Sequence, residues 1–493
     1  MDKLLLGIDF GTSTNFVTKY DFNKKDAIPV ANMGDYGASN IFENCIYVES
    51  ANNFVIGQAK KGVNDPFNFF EDVKRFIVSD DWKHKVSNLD DKEVTAQDLA
   101  TMIFSAIKTK VENSESKPVE GAVITVPYAY GDKYKKRLKK AAEDAGIKVI
   151  QLIEEPVAAA ISFGIFSGDI KEGKKEKIVV FDLGGGTFDI TVFEFQKNDQ
   201  QHAKIEVLNT DGVEKLGGKT IDDLISEKFR EILGVEYCDF SNKKEESNFR
   251  NSLKKIARET KEELTSNEST DVYETFFINK ELVELEKEIT RDEFDTWLKN
   301  NNIIGEIDDA LDRAIYDIDL EPKDIDRIIL AGGTSSIPLI KKTVKDFFGK
   351  EPESKQNLGE LVGHGAGIMA GLWADNSLKY DVIRKTSKDV GIATGQKFKR
   401  ILHKNEMYGE TSAPHKVVLR NTESELQVTF YEGISARIED CEKFGTATIN
   451  GQLFSNAIVY ISLMRDKVTG QIKYYFSGEN NTQIDTGFLE NIE

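Results

Sequence analysis

Two short segments of this sequence carry the residue types that cradle phosphate: Gly7-Ile8-Asp9-Phe10-Gly11-Thr12-Ser13-Thr14 and Phe181-Asp182-Leu183-Gly184-Gly185-Gly186-Thr187-Phe188-Asp189. Each follows an apolar run of β character, and each sets an aspartate ahead of glycine and hydroxyl residues. Gly11, Gly184, Gly185 and Gly186 let backbone N–H groups approach phosphate oxygens with no Cβ in the way. The hydroxyls of Thr12, Ser13 and Thr187 can donate to the same oxygens. Asp9 and Asp182 would repel phosphate directly, but they can hold Mg²⁺ through water, and the ion bridges to the phosphates. One such turn alone is most often an ordinary hairpin. Two, with matched aspartate and hydroxyl, are better explained by a duplicated lobe that presents one loop from each side of a cleft. The ligand that fits is ATP.

A third glycine turn, Gly332-Gly333-Thr334-Ser335, sits between a strand and a helix and suits backbone approach to a ribose or an adenine edge. Gly363-His364-Gly365-Ala366-Gly367 is read as close helix packing rather than as a pocket wall.

The elements that must position these turns follow from pattern. Leu4 to Asp9 and Phe16 to Tyr20 read as strands, followed by a loop-rich stretch to about Pro66. Thr95 to Val111 has helical spacing, with Thr95 as N-cap and Asp98 three residues on. Ala122 to Val126 is a buried-type strand that ends at Pro127, which has no N–H to donate. Asp132 to Ala145 is a basic amphipathic helix stopped by Gly146. Val149 to Ile153 is a strand leading to Glu154-Glu155-Pro156 and a helix over Val157 to Phe163. Ile178 to Phe195 repeats the N-terminal strand–turn–strand pattern. Helices are expected at Thr220 to Leu233, Glu245 to Leu264, Asp308 to Asp317, Pro338 to Phe348 and Gly363 to Leu372, with a strand at Ile325 to Ala331. From Asp389 onward short β runs alternate with turn signals, which predicts an all-β module of roughly 100 residues. The fold class is therefore α/β at the front and all-β at the back.

The chain of 493 residues is too long for one core. Its net charge of −19 repels polyanions, so nucleic acid is not an expected partner. Cys45, Cys238 and Cys441 are scattered, with no zinc or disulfide spacing, which fits a reducing compartment. No apolar run of eighteen residues appears, so no membrane span is expected, and the chain reads as cytoplasmic.

At this point the residues resemble those of DnaK-type heat-shock chaperones, the seventy-kilodalton class within the actin, sugar-kinase and chaperone ATPase superfamily. Asp182-Leu183-Gly184-Gly185-Gly186-Thr187-Phe188-Asp189 is similar to the chaperone version of the phosphate turn. Glu155-Pro156-Val157-Ala158-Ala159-Ala160, Leu216-Gly217-Gly218, Leu330-Ala331-Gly332-Gly333-Thr334 and Ile337-Pro338 also resemble that family. Val390-Gly391-Ile392 and Tyr431-Glu432-Gly433 fall where its peptide-binding sandwich begins and has its central strand. The resemblance implies an actin-like two-lobed ATPase domain over 1–376, a linker over 377–388 and a β-sandwich over 389–493. It also implies slow ATP hydrolysis to ADP and phosphate, coupled to affinity for extended apolar peptides.

By the same resemblance Lys74 is the catalytic lysine, Glu155 and Asp182 order metal-bound water, and Thr187 meets the γ-phosphate. Asp9, Asp182 and Asp189 help hold Mg²⁺ and, as in the family, K⁺. Gly217, Gly218, Lys261, Thr265, Gly332, Gly333 and Thr334 belong to the nucleotide site, and Pro127 matches the relay proline. Ile392, Leu426 and Val428 face the peptide pocket, although their alternation is also what a sandwich core shows. Unfolded peptides, a J-domain co-chaperone and a nucleotide-exchange factor are the partners implied.

Several positions depart from the family pattern. Ser336 stands where an arginine stacks on adenine, Gly359 where an acid is usual, and Arg258 where a glutamate is usual. These changes fall on the adenine end and predict altered nucleotide affinity. Asp381-Val382-Ile383-Arg384-Lys385 replaces an acidic-ended leucine run, Gln151 and Lys135 replace arginines, and the long helical lid is absent after the β strands. Weak, fast-exchanging peptide binding is the expectation. Two other readings are a nucleotide-binding regulatory relative that cycles little and a metabolite kinase; the β-type module opposes the kinase.

Overall fold

The computed structural model describes residues 3–31, 33, 40–58, 65, 67–128, 130–166, 172–197, 202–237, 240, 242–279, 281–353, 360–374, 379–418, 425–450, 458–467, 470–480 and 482–489. Gly359, Cys238, Gly451 and Thr469 lie outside them, as does the side chain of Leu426.

Leu4–Phe10 and Thr14–Asp21 form the expected antiparallel pair. A Cβ at Gly11 would overlap the Thr14 carbonyl oxygen, so the reversal requires glycine. Val119–Val126 and Val149–Glu154 add in parallel on one side, and Asp26–Pro29 adds antiparallel on the other. The first strand and the last six residues of Val119–Val126 are buried almost without interruption, as expected of strands covered on both faces. Helix Ala96–Glu115 covers one face and begins with the expected capping box: Thr95 Oγ1 accepts from the Asp98 N–H, and Asp98 accepts from the Thr95 N–H.

The second large sheet repeats this plan. Lys175–Leu183 and Phe188–Lys197 pair antiparallel, His202–Val213 continues the meander, and Arg327–Ala331 adds in parallel. Two helices join the sheets, Glu155–Phe166 and Leu361–Ala374, and they share one apolar core with both. The glycines of Leu361–Ala374 face backbone and rings: a Cβ at Gly365 would overlap the Ala158 carbonyl, and one at Gly371 the ring of Tyr20. The Gly363–Gly367 stretch is thus packing, as expected.

Three parts of the sequence reading are corrected. The stretch before Pro66 holds strands Asp26–Pro29, Ile41–Glu43, Cys45–Ser50 and Asn53–Ile56, which at three to six residues are too short to show a period. A long hairpin, Ser269–Ile278 with Glu281–Thr290, was not expected. Acids crowd its exposed face and hide the alternation of Val272, Phe276 and Ile278 beneath. Lys379–Ile383, inside the segment read as linker, is a strand paired in parallel with His202–Val213 at the edge of the second sheet.

Beyond it lie two four-stranded sheets. Lys397–Leu402, Asp389–Thr394, Glu425–Gly433 and Glu442–Asn450 form one; His415–Val418, Ile458–Arg465, Ile472–Ser477 and Gln483–Phe488 form the other. Val390, Phe430 and Phe444 of the first share a core with Val459, Leu463 and Phe476 of the second.

Candidate functional site

The two glycine turns meet. A Cβ at Gly186 would lie 2.6 Å from Thr12 Oγ1, and one at Gly185 would overlap Ser13 Oγ. Backbone therefore lies against hydroxyl across the junction, which is where an oxyanion cradle needs its N–H groups. The Gly217-Gly218 turn closes on the same place. The Gly218 N–H donates to Gly184 O at 3.0 Å and the Lys219 N–H to Gly185 O at 2.8 Å. Thr334 Oγ1 donates to Gly184 O at 2.8 Å, so the third glycine turn is tied to the second. Gly332 has φ of 75°, and its missing Cβ leaves room for Leu183 O. A Cβ at Gly333 would meet nothing within 4 Å, so that backbone faces open space.

Lys74 is the central charge. It is 2% exposed, and its Nζ lies 2.6 Å from Glu155 Oε1. It is carried by the short helix Val73–Phe76, and Glu155 opens helix Glu155–Phe166 at the end of strand Val149–Glu154. Asp9 ends the apolar part of the first strand, and Asp182 and Asp189 are register partners across the second turn. Burial, and then Glu155, pushes the Asp9 carboxyl up to about 7, against the pull of Lys74 and of a hydrogen bond from Thr125. Burial, then Glu155, Asp189 and Asp9, pushes Asp182 well above the usual carboxylate range. Four carboxylates thus crowd one buried lysine. Such a group needs a further cation to ionise fully. Among the described residues no three His, Cys, Asp or Glu side chains stand where they could hold a metal directly.

At the other end, Lys261 Nζ lies 2.6 Å from Asp222 and donates to Gly218 O at 3.2 Å. Thr265 Oγ1 donates to Lys261 O on its own helix, and Ser336 is half-buried. Arg258 pairs with Glu262 and reaches Glu43 at 3.8 Å. Pro127 is buried between strand Val119–Val126 and helix Asp132–Asp144. Ile392 lies in the core of the β module, with Val428 packed against it.

Sequence reading missed the groups that hold this site. Thr125 Oγ1 donates to Asp9 Oδ1 at 2.8 Å. The Asn44 side chain donates to Gly11 O, and its N–H to Ser13 O. Both lie on neighbouring strands or turns, where no spacing rule points. It also missed the contacts of the β module. Arg465 Nη1 lies 2.6 Å from Asp132 Oδ1, and Glu432 accepts from the Asp132 N–H at 3.0 Å, capping the helix that follows Pro127. Gly131 is required there, since a Cβ would overlap the Glu432 carboxylate. Arg384, of the connecting segment, pairs with Glu154, and Tyr408 donates to the same carboxylate at 3.2 Å.

Two sheets thus bring facing glycine turns together beside a buried lysine. Residues 5–453 match the model of the family described as "Hsp70 protein". The chain belongs to the Hsp70 family. It is 29% identical over 445 residues to chaperone protein DnaK of Thermotoga petrophila, covering 87% of this chain and 70% of that one. The figures are the same for chaperone protein DnaK of Thermotoga maritima. With chaperone protein DnaK of Elusimicrobium minutum it is 30% identical over 409 residues, 81% of this chain and 63% of that one. No helix among the described residues is long and apolar enough to cross a membrane.

Proposed function

We propose that this protein is an ATP-dependent chaperone: an actin-like two-lobed ATPase domain whose nucleotide state sets the affinity of a β-sandwich for extended apolar peptide. The observation that carries this reading is the buried Lys74–Glu155 pair facing Asp9, Asp182 and Asp189 beside the two joined glycine turns. In this reading Gly11, Thr12, Ser13 and Gly184 to Gly186 hold the phosphates, and Thr187 meets the γ-phosphate. Lys74 keeps the attacking water in line and offsets the charge that grows on the phosphoryl oxygens. Glu155 orients Lys74 and takes part in ordering water. Asp9, Asp182 and Asp189 hold Mg²⁺ through water, with Asp9 and Asp189 also suited to K⁺. Bound Mg²⁺ supplies neutralisation of the phosphate charge. Ile392, Leu426 and Val428 belong to the peptide pocket, and unfolded peptides, a J-domain protein and an exchange factor are the partners. The scattered cysteines support a cytoplasmic location.

A second reading, a nucleotide-binding relative that cycles little, is favoured by Ser336 and by Arg258, which is engaged with Glu43 and Glu262. Single-turnover hydrolysis decides between them. Wild type is expected to hydrolyse ATP about 10²–10³ times faster than Lys74→Ala, and ATP is expected to weaken binding of a labelled apolar peptide. Equal rates for the two proteins, with peptide affinity blind to ATP, would leave only the second reading.

A further inference from the structure

The two helices that join the α/β units meet across a buried polar chain. Leu361–Ala374 lies on the first sheet, against Leu4–Phe10, Thr14–Asp21 and Asp26–Pro29, and Glu155–Phe166 lies on the second, against Lys175–Leu183 and Phe188–Lys197. His364 is the one ionisable side chain of Leu361–Ala374. It is buried within a core of alanines and aliphatic residues. Its Nδ1 lies 3.0 Å from Ser162 Oγ of the crossing helix, and Ser162 is fully buried. Its Nε2 lies 2.9 Å from Asp26 Oδ1, and that oxygen also accepts from the Ala27 N–H at 2.8 Å. The ring is thus held by a carboxylate of its own unit and bonded to the helix of the other.

Histidine is the side chain whose charge ordinarily changes between about pH 5 and 8. A neutral ring with its proton on Nε2, toward Asp26, leaves Nδ1 to accept from the Ser162 hydroxyl. A charged ring donates from both nitrogens. Ser162 then accepts, and its O–H turns to a carbonyl of its own helix, a bond open to helical serines in general. The bond across the joint thereby becomes charge-assisted, a class about twice as strong as the neutral one. Asp26 offsets the cost of burying that charge.

We propose that Ser162, His364 and Asp26 form a proton-operated catch between the two α/β units: the charged ring locks one unit to the other, and the neutral ring lets them turn. The catch belongs to the joint and needs no nucleotide, so it goes beyond the chaperone reading and is tested apart from it. The locked form binds the proton more tightly, so locking strengthens as pH falls and is lost as pH rises. The other charged groups on strands and helices packed against Leu361–Ala374 are Asp9, Lys19, Asp21, Glu120, Glu154 and Glu155. Among them Asp9 has its carboxyl pushed up to about 7, by burial and then by Glu155. Asp9 is present in wild type and in a His364 variant alike, so the difference between their pH profiles isolates the ring.

The test is pulsed electron paramagnetic resonance on the full chain without nucleotide. Nitroxides are placed on ketone amino acids at Asn53 and Lys255, exposed positions on the rims of the two units. Lowering pH from about 8 to about 5.5 is expected to reduce the share of widely separated pairs by about 3- to 10-fold in wild type. The change is expected to stay within about twofold in His364→Gln, which carries no charge, and in Ser162→Ala, which has no hydroxyl. Asp26→Asn is expected to move the midpoint to lower pH, since the ring loses the carboxylate that favours its charge. Nuclear magnetic resonance of isotope-labelled histidine rings reads the proton directly, and the His364 signal is the one of five that shifts in Ser162→Ala. A His364 ring that keeps one charge state across this pH range overturns the catch, even where His364→Gln does not fold. A wild-type distance response no larger than that of Ser162→Ala overturns it too, as does an unmoved midpoint in Asp26→Asn.

Discussion

Arg384 and Glu154 are 230 residues apart in sequence and share a two-point ion pair inside the molecule, Nε to Oε2 at 2.9 Å and Nη2 to Oε1 at 2.8 Å. Burial alone would push the Glu154 carboxyl up, but Arg384 and then Lys135 hold it well below the usual carboxylate range. The neighbour of Glu154 is Glu155, which holds Lys74. The connecting segment is therefore anchored one residue from the candidate catalytic pair, through charge where an apolar run was expected.

Removing one partner of that pair strands the other. Arg384→Ala is expected to cost about 3–5 kcal/mol, because Glu154 is left buried with only Lys135 and Tyr408. The double change Arg384→Met with Glu154→Met is expected to cost far less. Urea unfolding of the single and double variants checks this, and a double variant as unstable as the single one would contradict it.

Docking of the β module is expected to depend on pH through Glu432. Burial, and then the nearby Asp132, pushes its carboxyl up to about 7 from an ordinary value of 4.5, against the pull of Lys388, Arg465 and Lys135. Glu442 also lies beside it, across the strand register. The docked form thus holds a proton that the undocked form releases. Its contribution is fully present below about 4.5 and is lost as pH rises through about 7. Energy transfer between dyes on helix Ala96–Glu115 and on strand Gln483–Phe488 should fall as pH rises from about 4.5 to about 7 and level off above that. Glu432→Gln should flatten the profile.

Gly365→Ala is expected to destabilise the joint between the two α/β units by at least about 3 kcal/mol. The added methyl meets the Ala158 backbone, which has no rotamer to yield. Calorimetry should show a lowered melting temperature. Gly234→Ala is the comparison: no atom crowds that site, and its φ of 63° makes any cost one of backbone strain alone, about 1–2 kcal/mol.

Thr125→Val keeps the shape of a fully buried residue and removes the hydroxyl that fixes Asp9 Oδ1. Hydrolysis at saturating ATP is expected to fall by about tenfold, consistent with the loss of one hydrogen bond to a charged group. Thr125→Ser should recover most of the rate. Steady-state kinetics on the three proteins, with thermal melts confirming that each is folded at the assay temperature, checks this.

Much of this architecture was legible in the residues. The glycine turns declared themselves because tight reversal and close approach both demand glycine, as Gly11 and Gly332 illustrate. The helix at Ala96 was announced by Thr95 and Asp98, whose capping bonds are local. Hidden features share a different cause. Hairpin Ser269–Thr290 has its apolar alternation diluted by acids, and Lys379–Ile383 becomes a strand only because His202–Val213 offers an edge. The pairs Asp132–Arg465, Glu154–Arg384 and Asp72–Lys219 are contacts between distant segments of opposite charge, and charges of both signs are everywhere in this chain. No spacing rule selects the right ones before the fold brings them together.

The helices Glu155–Phe166 and Leu361–Ala374 touch through backbone at Gly365 and Ala158, beside a hydrogen bond between Ser162 Oγ and His364 Nδ1 at 3.0 Å. Close backbone contact of this kind is a natural pivot for rotation of one α/β unit on the other. Ala158 is about one helical turn from Glu155, so a rotation of one α/β unit on the other would sweep the rims through the widest arc and displace the root of the cleft least. Like shears pivoted close to the throat, the molecule could part at Asp72 and Lys219 while Lys74 and Glu155 stayed nearly in register.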